Sequence, residues 1–193
     1  MKNDGASSQI PSLMETDVEP EAVAPTARML AWAKNSAAYR LSRRMMTERE
    51  LTNAIIRKAR EKFEPINDAQ LAALAQAAVD FGRHVGALDD KAYAEVKVRS
   101  AVRVGKSKRV IARKLQEKGV DTQTAAEALE DANDYLAAAA FARKRAFGPY
   151  RRVMLDEKRL AKELSAFARN GFSFELAKRV LSMSRDEVEA ALE

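Results

Sequence analysis

The chain has 193 residues, with 34 Lys and Arg against 28 Asp and Glu, a net charge of +6, and only 6% aromatic residues. That length can bury one core or a short array of small ones, and a charge-rich, ring-poor composition suits helices packed through Ala and Leu. Cysteine is absent and His84 is the only histidine, which excludes disulfides, a thiolate nucleophile and zinc sites built from Cys or several His.

The charge is unevenly placed. Residues 1–27 carry one Lys and five acids, whereas residues 28–193 carry 33 basic and 23 acidic side chains. Ser, Pro, Asp and Glu without periodicity predict a disordered acidic tail over residues 1–35, with Trp32 either anchoring it or opening the first helix. The start of the chain lacks the basic stretch and apolar run of a signal peptide, and no apolar run approaches the roughly 20 residues of a membrane span. A cytoplasmic location with no membrane partner is the expectation.

Helical signals then follow one another, with no comparable strand signal. Thr47 and Glu50 have capping-box spacing ahead of Leu51, Ile55 and Ala59, which share one helix face. Asn67 or Asp68 opens a second helix, with Leu71, Leu74, Ala75, Ala78, Gly82 and Val85 as its apolar stripe. Asp89 or Asp90 caps the next, leading into Tyr93, Ala94 and Val98 and ending at Gly105. Another runs from Ser107 to Gly119 with Ile111 and Leu115 facing inward. Asp121 is expected to cap a single helix carrying Ala125, Leu129, Ala132 and Leu136.

Gly119-Val120-Asp121 and Gly171-Phe172-Ser173 both read as helix stop, apolar residue and helix cap, 52 residues apart. Such a period predicts an all-α, elongated tandem array of three three-helix modules, placed at 36–88, 89–135 and 136–193. The first module is the least regular, because Phe63-Glu64-Pro65 stands where the others have glycine.

Between Lys97 and Lys118 there are nine basic residues and one acid, Glu117. Like charges at helical spacings repel, so a run this one-sided predicts an anionic partner. Lys97, Arg99, Arg103, Lys106, Lys108, Arg109, Arg113 and Lys114 are the candidate contacts, with Lys106, Arg109 and Arg113 grouped by spacing. A second cluster, Arg143, Arg145, Arg151 and Arg152, surrounds the Gly148-Pro149 turn beside Phe147 and Tyr150. Phe141 and Phe147 read better as core than as base-stacking rings.

Catalytic readings fare poorly. Gly105-Lys106-Ser107 suggests a phosphate loop, but Ser100 occupies the position where that motif needs its first glycine, inside a helical pattern. His84 has no partner ligand, and Asp89-Asp90 reads as a helix cap. No enzyme, cofactor or metal is expected.

Four stretches stand in a specific order and spacing: Ala38-Tyr39-Arg40-Leu41 with Arg43-Arg44 and Glu50-Leu51, Leu88-Asp89-Asp90 with Tyr93-Ala94, Gly105-Lys106-Ser107 through Lys118-Gly119-Val120, and Gly171-Phe172-Ser173-Phe174-Glu175-Leu176. In these the chain resembles the RecX family of regulators of the recombinase RecA. Met46 departs from it, standing where many members have histidine. The resemblance implies three three-helix repeats acting as a monomer in the groove of the RecA filament on single-stranded DNA, suppressing its ATP hydrolysis, strand exchange and coprotease activity. The alternative is a helix-turn-helix-like protein that contacts DNA directly without RecA. It is weakened because Lys and Arg here outnumber the Asn, Gln and Ser that read base edges.

Overall fold

The computed structural model describes residues 24–190 and residue 192, and among these it is helical, with no strand. The expectation of a disordered tail therefore lies outside the described residues for positions 1–23. Positions 27–35 depart from it. Helix α1 (Ala27–Leu41) begins ahead of the expected boundary, because Thr26 caps it and Met29, Ala33 and Ala37 bury one face at a spacing of four. Trp32 joins the core, its ring edge-on to Phe63 at 5.1 Å.

Three groups of helices follow in chain order. In the first, α1 packs on α2 (Glu48–Lys62) and α3 (Asp68–His84) around Leu51, Ile55, Leu71 and Leu74. Both α2 and α3 open with full capping boxes, Thr47 with Glu50 and Asn67 with Gln70. In the second, α4 (Asp90–Arg103), α5 (Lys108–Lys118) and α6 (Thr122–Leu129) enclose Tyr93, Val98, Ile111 and Leu115.

The third group holds α7 (Asp134–Arg145), a 3-10 turn (Gly148–Tyr150), α8 (Glu157–Arg169), α9 (Phe174–Ser182) and the short α10 (Arg185–Ala190). Its core is aromatic. Phe141 and Phe167 meet edge to face at 5.0 Å, with Phe147 and Phe172 beside them. The single helix expected to run from Asp121 past Leu136 is in fact two. Helix α6 stops at Leu129, and Asn133 accepts from the Tyr135 N–H to begin α7. The expected module boundary at 135/136 consequently falls inside the first turn of α7.

The groups are joined by one arrangement used twice. Thr47, the cap of α2, is fully buried and its hydroxyl donates to the carbonyl of Lys118 at the end of α5, at 2.6 Å. The next N–H, of Glu48, donates to Asp90 Oδ1 at the start of α4, at 2.9 Å. At the second joint the hydroxyl of Ser107, the buried cap of α5, donates to the carbonyl of Asn170 after α8, at 2.6 Å, and the Lys108 N–H donates to Asp134 Oδ1 at 2.7 Å. Each hydroxyl also accepts from its own helix, from Glu50 N or Val110 N. Only a group that donates and accepts together serves both functions.

This explains the glycine punctuation. Gly119 has φ 94°, and a Cβ there would lie 2.5 Å from Arg49 Cβ on the neighbouring group; Gly171 faces Ser107 Oγ in the same way. The end of α2 has no earlier group against it among the described residues, so Phe63-Glu64-Pro65 is tolerated there. At the far end the equivalent cap is Asp156, exposed and accepting from Arg159 N at 2.6 Å. An ionised carboxylate has no proton to donate, so the joint stops with the third group.

Candidate binding surface

The nine-to-one basic stretch of the sequence does not form one face. On α4, Arg99 and Arg103 line a groove against α6 whose other wall carries Glu127, Glu130 and Asp131. Arg99 lies 3.8 Å from Glu95, and the Lys97 ammonium sits 5.2 Å from the centre of the Tyr93 ring. Once folded, this half of the run is locally mixed in sign.

Helix α5 carries the more open cations. Arg109, Arg113 and Lys114 are exposed, although Arg113 reaches Glu117 at 3.5 Å. Exposed pairs of this kind hold their partners by no more than about 1 kcal/mol, so Arg113 remains available. Lys106 and Lys108 are half-buried at the second joint. The Lys106 ammonium lies 3.4 Å from Asn170 Oδ1, and that of Lys108 donates to the Glu130 carbonyl at 3.2 Å. The spacing argument grouped Lys106 with Arg109 and Arg113, whereas the fold turns it toward the third group.

The phosphate-loop-like stretch is structural. Gly105 has φ 78°, and a Cβ on it would lie 2.7 Å from the Phe141 backbone. Lys106 and Ser107 engage Asn170, so the stretch is packed against α7 and the end of α8. His84 is exposed at the last position of α3.

The second cluster is divided as well. Arg151 is committed to the interior, donating through Nε and a terminal nitrogen to the fully buried Glu163 at 2.9 and 2.7 Å, which Arg159 also reaches at 3.0 Å. Burial pushes the Glu163 carboxyl up, but the Arg151, Gly148 N–H and Arg159 hydrogen bonds outweigh it and hold the group below its ordinary value. Arg143 pairs with Glu189 at 3.1 Å, and the Tyr150 hydroxyl donates to the same carboxylate at 2.7 Å. Burial, then that carboxylate, pushes the Tyr150 hydroxyl up to about 12. Arg145 stands 5.7 Å from the Phe147 ring centre, and Arg152 is exposed. Phe141 and Phe147 are core residues.

Sequence reasoning missed a third grouping. Arg40, Arg43, Arg44 and Arg57 meet around a cavity on the first group, with Tyr39 at its rim. The Arg43-Arg44 pair was visible, but Arg57 comes from another helix. Among the described residues no set of three or more His, Cys, Asp or Glu is placed to hold a metal, and no helix is long and apolar enough to cross a membrane.

Residues 89–129, spanning α4 to α6, match the family model of the second three-helix domain of RecX. Over 179 residues the chain is 62% identical to the regulatory protein RecX of Agrobacterium fabrum, covering 93% of this chain and 97% of that one. The chain belongs to the RecX family. A second RecX, from Myxococcus xanthus, is 34% identical over 169 residues, 84% of this chain and 88% of its own. The crystal structure of RecX from Lactobacillus salivarius superposes with a TM-score of 0.61 at 21% identity, covering 86% of this chain and 99% of that one, which establishes the shared fold. The stacked three-helix groups are thus the RecX architecture.

Proposed function

We propose that this RecX-family chain binds the RecA nucleoprotein filament on single-stranded DNA and inhibits its ATPase, strand-exchange and coprotease activities, acting in the cytoplasm as a monomeric regulator of recombination, DNA repair and the SOS response. The observation that carries the reading is the 62% identity, over nearly the whole chain, to a protein named a regulatory RecX. Helix caps, glycine stops and the two buried joints account for the residues that most resembled catalytic motifs, so binding rather than chemistry is the activity proposed.

The repeated joint supports a mechanism of groove occupation. Two sets of hydrogen bonds, made at the buried caps Thr47 and Ser107, hold the three groups in a fixed series, so exposed cations such as Arg109, Arg113, Lys114 and Arg152 keep set distances along the array. A filament is itself a series of identical protomers, and a preorganised array loses little entropy on matching it. Occupying the groove obstructs DNA exchange and coprotease substrates and stiffens protomers that must move during hydrolysis.

The test is DNA-dependent ATP hydrolysis by RecA on single-stranded DNA, with this chain titrated in. A dose-dependent fall with no hydrolysis by the chain alone is expected. Unchanged hydrolysis while the chain binds bare duplex DNA would refute the proposal in favour of a RecA-independent DNA-binding protein.

A further inference from the structure

The arginines of the cavity on the first group make none of the hydrogen bonds of the two joints. Arg40 lies in the last turn of α1, Arg43 and Arg44 in the turn that follows, and Arg57 in the middle of α2. Together they line a cavity of about 240 Å³, and among the described residues no carboxylate lines it. Arginines near the end of α1 complement the helix dipole, but Arg57 is mid-helix and has no such reason to be there.

The acids nearby are shared with other cations. Glu50 holds Lys118 at 2.8 Å and Arg44 at 3.6 Å, while Glu61 pairs with Lys58 at 2.5 Å and feels the charge of Arg57 one turn away, which leaves four arginines facing the cavity against two acids already held by lysines. Arg40 Nε is buried and meets no hydrogen-bond acceptor among the described residues. A buried guanidinium donor of this kind, among three more positive side chains, suits an anion with several acceptor oxygens.

The rim adds an aromatic surface. Tyr39 is 61% exposed, and the Arg43 guanidinium lies 5.2 Å from the centre of its ring while donating to its hydroxyl. An open ring held beside cations is the pairing that binds unpaired bases and their phosphates, and a carboxylate partner makes no use of it. In a duplex the faces of the bases are already stacked, so the ring favours a single strand.

We propose that Arg40, Arg43, Arg44 and Arg57 seat one phosphate of a single-stranded nucleic acid, with the adjoining base stacked on Tyr39. The site adjoins the second group through Arg44, Glu50 and Lys118, so the strand leaves toward the exposed end of α5.

The full chain is tested without RecA, by fluorescence anisotropy of a short labelled oligothymidylate over a series of salt concentrations, so the outcome is independent of the filament proposal. Arg43→Ala with Arg57→Ala removes two exposed cations. It is expected to weaken binding by roughly ten-fold or more and to flatten the logarithmic salt dependence by about 0.7 for the phosphate lost. Tyr39→Ala is expected to weaken binding several-fold with the salt slope kept, and Tyr39→Phe to restore it, because stacking needs the ring and exchanges no counterion. Circular dichroism melts verify the fold, and Arg57→Gln alone, at an exposed position of α2, gives the salt-slope readout if the double variant melts early. The assignment is overturned if the parent fails to bind the oligonucleotide, or if the arginine variants keep its affinity and slope. It is also overturned if polyglutamate competes as well, per charge, as the oligonucleotide, which would make the cavity a dock for acidic protein.

Discussion

Ser107 is the position at which the joint can be separated from ordinary helix capping. Its hydroxyl, fully buried, accepts from Val110 N at 3.3 Å and donates to the Asn170 carbonyl at 2.6 Å. Ser107→Ala removes the cap, worth about 1 kcal/mol, and leaves the half-buried Asn170 carbonyl without its donor, worth about 1 to 3 kcal/mol. The combined loss of roughly 2 to 4 kcal/mol lowers the melting midpoint by roughly 5 to 15 °C for a chain of this size. Ser107→Asp is the sharper variant. Aspartate caps a helix as well as serine does, so capping alone predicts parental stability. At the joint, however, an ionised carboxylate donates nothing and its oxygens face the Asn170 carbonyl, so Ser107→Asp should be less stable than Ser107→Ala. Thermal and urea melts of the three proteins decide the matter. Ser107→Asp matching the parent would refute the reasoning, and a separate early transition for the third group would locate the damage where it is expected.

Three further outcomes follow from the same contacts. Replacing Arg109, Arg113 and Lys114 together by Ala should leave the melt within about 0.5 kcal/mol per site while weakening RecA-filament co-sedimentation and its salt dependence; the buried control Leu115→Ala should lose roughly 2 to 5 kcal/mol of stability. Glu163 sits below its ordinary value of 4.5, so its stabilising effect is present above the unfolded-state value and is lost as pH falls through the lower, folded one. The third group should therefore loosen in acid below about pH 4.5, seen as near-ultraviolet signal loss, and Glu163→Gln should flatten that dependence while costing about 3 to 5 kcal/mol at neutral pH. Truncation ahead of Thr26 should leave helical content and filament binding intact, whereas truncation at Met29 removes the cap of α1 and should fray its first turn in hydrogen exchange.

Much of the helical plan was legible before folding was considered. Thr47 with Glu50, Ser107, Gly119 and Gly171 marked helix starts and stops correctly, because capping depends on atoms three or four residues apart and left-handed turns select glycine wherever they occur. The same local rules marked Leu51, Ile55, Ile111 and Leu115 as core, since a 3.6-residue period is a property of the segment alone. What the chain does with its polar groups was decided in three dimensions. The second bonds made by the caps Thr47 and Ser107, the facing of Arg99 and Arg103 on α4 by Glu127, Glu130 and Asp131, the burial of Arg151 against Glu163, and the meeting of Arg40 with Arg57 all join residues from different elements. Spacing along a chain encodes which side of its own helix a residue occupies, and only the packing of helices determines which charge, carbonyl or void that side will face.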